Sequence, residues 1–296
     1  MAKLLAYFLL TVSAAFAADN PIWGEGRITN ILGYGKADSS GLGPLFTLLQ
    51  SEYFSTIFLG ILIGVPAIYL LHYLVIGPKS FPHGGKKIKI FSLFNRVVHQ
   101  LAAVSFIVIV PTGFIMVFGS FFGGGEFVRL CKNLHGIFTI VFAIVVIPMF
   151  IMWIKDALFK FEDIKWMAIM GGYLSKKQKP IPVGKFNAGQ KAWYWVATLG
   201  GMTMIITGAM MYLLDFNMSM LTSMTGLSQI DLLRLAAITH NIVGFLVVAL
   251  FFTHIYMSVF GVKGAINSMI DGHKEEEEVR ILHSTYYNKL KKEGKV

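Results

Sequence analysis

Two histidines, His240 and His254, stand fourteen residues apart in an uncharged run covering 235–262. In an α-helix fourteen residues make about four turns, so both imidazoles face nearly one side, roughly 21 Å apart along the axis. Neutral imidazole is a common metal ligand, with one ring nitrogen for the metal and the other for a hydrogen bond. One stripe with a ligand near each surface of a bilayer has the geometry to hold two haem irons, one above the other. Each iron then needs a second axial ligand from a facing helix.

The elements that must position these rings can be read from composition. The chain has 296 residues, 55% hydrophobic and 14% charged, with mean hydropathy +0.64. A soluble chain carries about 25% charged residues. Five uncharged runs, 54–78, 97–125, 133–154, 192–214 and 235–262, each reach the roughly 20 residues that cross a hydrocarbon core. They are continuously apolar rather than alternating, which predicts helices and not a β-barrel. Residues 1–17 read as a secretory signal: Lys3, a short apolar core over 4–16, and Ala15-Phe16-Ala17 before the cleavage point. An uncleaved sixth helix is the other reading, and either one places 18–53 outside. The single Cys131 makes no internal disulfide and no metal cluster, and reads as a bystander near the outer surface.

Charge orients the spans. Segments 79–96, 155–191 and 263–296 hold twenty Lys and Arg residues, against five in 18–53, 126–132 and 215–234. The positive-inside rule places the first set in the cytoplasm. It also accounts for the net charge of +10 without nucleic acid, through an inner face suited to anionic lipid. Within 155–191, Phe159, Phe161, Trp166 and Met167 suggest an amphipathic interfacial helix. The acidic run 275–278 reads as solvated helix surface. No internal repeat stands out.

Depth then sorts the remaining histidines. His99 lies just inside the inner end of its span, behind Arg96, and His135 opens the next span from the outer side, after Arg129 and Lys132. The pairs expected are His135 with His240 outside, and His99 with His254 inside. Ionisable residues within a membrane are uncommon and usually functional. Zinc fits poorly, because its four ligands share one site and these lie at two depths. His72, without a depth-matched partner, reads as a packing residue, and His83, His273 and His283 as solvated. Gly136 and Gly244 permit close helix approach, for a porphyrin or for ordinary packing. Arg96 and Lys263 suit either a haem propionate or an inner-surface anchor.

Two stretches carry a resemblance to a known family. They are Val183-Gly184-Lys185-Phe186-Asn187-Ala188-Gly189-Gln190-Lys191, and the last span with His240, His254-Ile255-Tyr256-Met257 and Val262-Lys263-Gly264. Over 92–272 the chain resembles the cytochrome b (gamma) subunits of membrane-bound formate dehydrogenases. The resemblance implies a four-helix bundle with two b haems, His135 and His240 ligating the outer one and His99 and His254 the inner. It implies a quinone site at Asn187, Gly189 and Gln190; from the residues alone, Asn187 reads as a helix N-cap. It also implies partners outside the membrane, an iron–sulfur subunit and a molybdenum or tungsten catalytic subunit, with menaquinone as acceptor in a bacterial cytoplasmic membrane.

The layout expected is therefore an all-α integral membrane protein: a signal-like segment 1–17, an external segment 18–53, an extra helix 54–78, a di-haem four-helix domain 92–272 and a cytoplasmic tail 273–296. The chain lacks a nucleophile–base constellation, a phosphate-binding loop and an iron–sulfur ligand set, so it is expected to conduct electrons rather than oxidise formate. Two rivals stand beside this reading. One is the cytochrome b subunit of a membrane-bound nickel–iron hydrogenase; the other is a haem-free anchor or a proton-relaying transporter.

Overall fold

The computed structural model describes residues 41–82, 84–212 and 219–296. The signal-like segment, most of the expected external segment and His83 lie outside these residues. Among the described residues, five helices are long and apolar enough to cross a membrane: α1 (Leu42–Val75), α2 (Leu93–Val117), α3 (Gly125–Ala157), α5 (Ala188–Tyr212) and α7 (Gln229–Gly261). Shorter helices are α4 (Phe161–Ala168), α6 (Ser219–Thr225), α8 (Asn267–Ile270), α9 (Glu276–Leu282) and α10 (Ser284–Lys292).

The helices outrun the uncharged runs that predict them. Residues 42–53, expected as external loop, are helical: α1 starts after Gly41, takes Pro44 in its first turn where no N–H is missed, and carries Glu52 through a π-helical turn at Leu49–Tyr53. At the head of α3, Glu126, Arg129 and Lys132 lie on an exposed helix end, not in a loop. A charge at a helix end remains hydrated and does not stop the helix. Side chains cap the starts instead. Ser92 and Asn95 each accept the other's backbone N–H at the start of α2, and Ser228 accepts from the Asp231 N–H at the start of α7.

Helices α2 and α3 form an antiparallel pair, α3 lies against α5, α5 against α7, and α7 against α1. Where α2 faces α7 the contact is made by aromatic rings: Phe106 stacks on Phe251 at 5.4 Å and meets Phe142 edge-on at 5.0 Å and Trp193 at 5.5 Å. These rings belong to the main buried cluster, with Val145, Val146, Met149 and Trp153 of α3. Helix α3 bares its opposite side, with Ile140, Ile144, Ile147 and Ile151 exposed, as a lipid-facing surface requires. Gly201 sets how closely α5 approaches α3, since a Cβ there would lie 2.7 Å from the buried Phe142 ring. The extra helix α1 packs Phe54 and Phe58 on Phe245 of α7.

One end of the bundle is closed by connecting segments and the C-terminal tail. Strand β1 (Lys87–Lys89) pairs antiparallel with β2 (His273–Glu275), Ile88 opposite Lys274. A parallel bridge ties Lys79 to Val262. Helix α4 has the expected exposed apolar side chains, Phe161 and Met167 among them, and is clamped to α5 by the buried ion pair Asp163–Lys191 at 2.7 Å. Asp163 also accepts the Lys160 N–H at 2.7 Å. After Met170, Gly171 adopts φ 58° with Trp166 so close that any Cβ would collide with it at 2.5 Å.

The tail is not the solvated surface that its charges predict. Val279, Ile281 and Leu282 are buried, Glu278 is buried against Lys274, and the Ile181 and Ser284 N–H groups bond to Ile281 O and Ile181 O. His283, expected in water, is buried with Nδ1 2.9 Å from Gly184 O. Apolar residues between the charges (Val279, Ile281, Leu282) drive this docking, and a charge count alone misses them.

Two outcomes follow. Asp163→Ala leaves the Lys191 ammonium buried and unpaired and is expected to cost about 3–5 kcal/mol. Asp163→Leu with Lys191→Met should recover most of that loss in thermal melts of detergent-solubilised protein. Burial, then the charge of Lys274, holds the His283 imidazole down to about 3, below its ordinary 6.5. Its contribution is therefore complete above about pH 6.5 and declines as pH falls from there toward 3. The tail should become protease-sensitive over that range, which time-resolved limited proteolysis measures; an unchanged cleavage rate from pH 7 to pH 4.5 would contradict it.

Candidate functional site

The four span histidines meet as two pairs at two levels. At the strand-bearing end, His99 of α2 faces His254 of α7 with ring centroids 6.1 Å apart. At the other level, His135 of α3 lies within electrostatic range of His240 of α7. This is the pairing expected from depth. Two imidazoles binding one iron from opposite sides, with metal–nitrogen bonds of roughly 2 Å, hold their centroids about 6 Å apart, so the His99–His254 spacing fits a bis-histidine haem. His99 Nδ1 is buried without a hydrogen-bond partner among the described residues.

The hydrogen bonds at the second level decide the tautomer. His135 Nδ1 lies 3.0 Å from Ile109 O and 3.2 Å from Thr112 Oγ1. A carbonyl only accepts, so Nδ1 carries the proton and Nε2 keeps its lone pair. His240 of α7 is met in a similar way by α5: Nδ1 is 2.9 Å from Thr207 Oγ1, whose own proton is directed at Thr203 O, so the hydroxyl accepts from Nδ1–H. Gly113 and Gly208, which follow the two threonines, bring the backbone against the rings, where a Cβ would touch each Cε1 at 3.4 Å. Thr112-Gly113 and Thr207-Gly208 thus make like contacts on two helices, whereas a third Thr-Gly, 225–226, ends α6.

Helix α5 supplies no histidine, yet it touches both histidines of α7. Its Trp193 stacks on His254 at 5.3 Å and 18°. One turn before Trp193, α5 begins with a capping box: Asn187 Oδ1 accepts the Gln190 N–H and Gln190 Oε1 accepts the Asn187 N–H, both at 2.9 Å. Asn187 is buried, whereas Gly189 and Gln190 are exposed. The N-cap read from the residues alone is therefore present, and each side chain retains an amide NH2. Arg96, one turn before His99, donates to Ile270 O at the strand-bearing end and has further N–H donors. His72 is a packing residue, as expected: Nε2 donates to Tyr173 O at 2.9 Å, and Nδ1 meets the Tyr256 hydroxyl at 2.6 Å. Cys131 is buried.

The fold and paired histidines define an all-helical, multi-pass membrane protein with a four-helix core and one added helix. The family model for prokaryotic cytochrome b561 matches residues 90–272, well over half of the chain and all four paired histidines, and the chain belongs to that family. Membership implies binding of haem b. The chain is 23% identical over 205 residues to the cytochrome b556 subunit of the nitrate-inducible formate dehydrogenase of Escherichia coli, covering 67% of this chain and 89% of the relative. It is 24% identical over 196 residues to the formate dehydrogenase cytochrome b556 subunit of Haemophilus influenzae, covering 65% and 79%.

The approach of α5 to α3 depends on Gly201. Gly201→Ala would gain about 1 kcal/mol of helix propensity, but the added methyl overpacks a filled core at a cost of about 1–3 kcal/mol. A net fall in melting temperature is expected, partly rescued by Phe142→Leu.

Proposed function

We propose that this chain is the di-haem cytochrome b subunit of a formate dehydrogenase complex, passing electrons from formate oxidised outside a bacterial cytoplasmic membrane to menaquinone near the inner face. The observation that carries the reading is the two-level arrangement of four histidines within the family-matched region. The formate assignment draws on relatives that are subunits of formate dehydrogenases. The orientation draws on the excess of Lys and Arg in 79–96, 155–191 and 263–296, the segments that form the strand-bearing end.

His135 and His240 would hold one haem b, and His99 and His254 the other. Haem b supplies a one-electron iron couple at each level. The protein's part is to present Nε2 lone pairs from facing helices and to exclude water with the Phe106, Phe142 and Phe251 rings between the levels. Arg96 would neutralise a propionate at the strand-bearing end. Asn187, Gly189 and Gln190 would take the quinone headgroup, donating amide N–H groups to a carbonyl oxygen, one turn from the Trp193 that covers His254. An iron–sulfur subunit and a molybdenum or tungsten catalytic subunit would supply the electrons from the opposite side.

The purified chain should show a reduced b-type spectrum with two haems. Replacing His240 or His254 by Ala should remove one haem each, His240 together with the haem lost in His135→Ala. Absence of haem from the wild-type chain, or retention of both haems in either variant, would sink this reading. The intact complex should couple formate oxidation to menaquinone reduction, and Gln190→Ala should raise KM for the quinone several-fold.

A further inference from the structure

We propose that Thr112 and Thr207 are paired positioning residues that fix the ring orientation of the His135 and His240 ligands and lower the reduction potential of the haem between them. This rests on the reading above that these two histidines hold a haem. Two different helices present one module to two different rings: a threonine hydroxyl, and a glycine after it against Cε1. Each hydroxyl is itself oriented. Thr112 Oγ1 lies 2.7 Å from Val108 O, and Thr207 Oγ1 lies 2.8 Å from Thr203 O. With its proton directed at its own helix, each oxygen turns a lone pair to Nδ1–H.

The chemistry follows from that direction. An Nδ1–H bonded to an acceptor makes the imidazole a more basic ligand and holds its plane. A more basic axial ligand stabilises ferric over ferrous iron, which lowers the potential. At the other level His99 Nδ1 is buried with no such acceptor among the described residues. The threonines thus add ligand basicity at the His135–His240 level through a bond that His99 Nδ1 does not make.

The test uses the full-length chain with both haems, comparing Thr112→Val, Thr207→Val and the corresponding serine variants. Valine keeps the shape of threonine and removes the acceptor oxygen; serine restores it. Redox titration and low-temperature electron paramagnetic resonance of the ferric haems are the readouts. Each valine variant is expected to raise the potential and shift the low-spin signal of one haem only, the one lost in His240→Ala, with serine returning both toward wild type. Selective loss of that haem in the valine but not the serine variants would support the same role. Unchanged potentials and signals in both valine variants would overturn the proposal, as would a shift confined to the haem lost in His254→Ala, or equal effects of valine and serine. A wild-type chain without haem would instead overturn the underlying reading, so the two failures are distinguishable.

Discussion

An imidazole inside a membrane bundle has two polar nitrogens and little water to satisfy them, and the arrangement of this protein turns on that constraint. An unpaired polar group in an apolar medium costs several kcal/mol. At the His135–His240 level, His135 meets the demand with Nδ1 on a backbone carbonyl and a hydroxyl, and His240 with Nδ1 on a hydroxyl, leaving each Nε2 directed elsewhere. His72, which is not one of the paired histidines, satisfies both nitrogens within the protein. That contrast separates a ring built for packing from rings with a nitrogen to spare.

The constraint also explains the division of labour among the helices. Helix α7 carries two histidines, α2 and α3 one each, and α5 none. Yet α5 places Trp193 on His254 and Thr207 on His240, so its own contacts repeat the fourteen-residue spacing of the pair they serve. The prolines of α2 and α3, Pro111 and Pro148, lie within the spans. Pro111 directly precedes Thr112, the residue that must reach His135. Proline at that point removes a backbone N–H and leaves the carbonyl one turn earlier without its helical donor.

Much of this was legible in the sequence. The fourteen-residue spacing, the charge-free runs and the positions of Arg96, Arg129 and Lys132 suffice to match His99 with His254 and His135 with His240. Helix ends were not legible, because the uncharged-run criterion stops at Glu52 or Lys132 while a helix carries such residues at its hydrated ends. The docked tail was missed for a related reason. Glu275 to Glu278 dominate its composition, but Val279, Ile281 and Leu282 decide where it lies. Thr112 and Thr207 were invisible because a threonine in an apolar span usually bonds to its own helix, as both of these do, and only coordinates show the second contact to a ring on another helix.

The difference between the two levels has a consequence for direction. On the proposed reading, electrons leave at the His99–His254 level, beside the helix start at Asn187 to Gln190. A relay runs downhill when the site nearer the acceptor has the higher potential. Hydrogen bonds to Nδ1 of His135 and His240 would act in that sense, lowering the potential of a haem held farther from the acceptor. His99, whose Nδ1 is buried without a hydrogen-bond partner among the described residues, would lack that contribution at its own level. On the proposed reading, two threonines on the helices that flank the His135–His240 pair would thereby bias the relay toward the strand-bearing end.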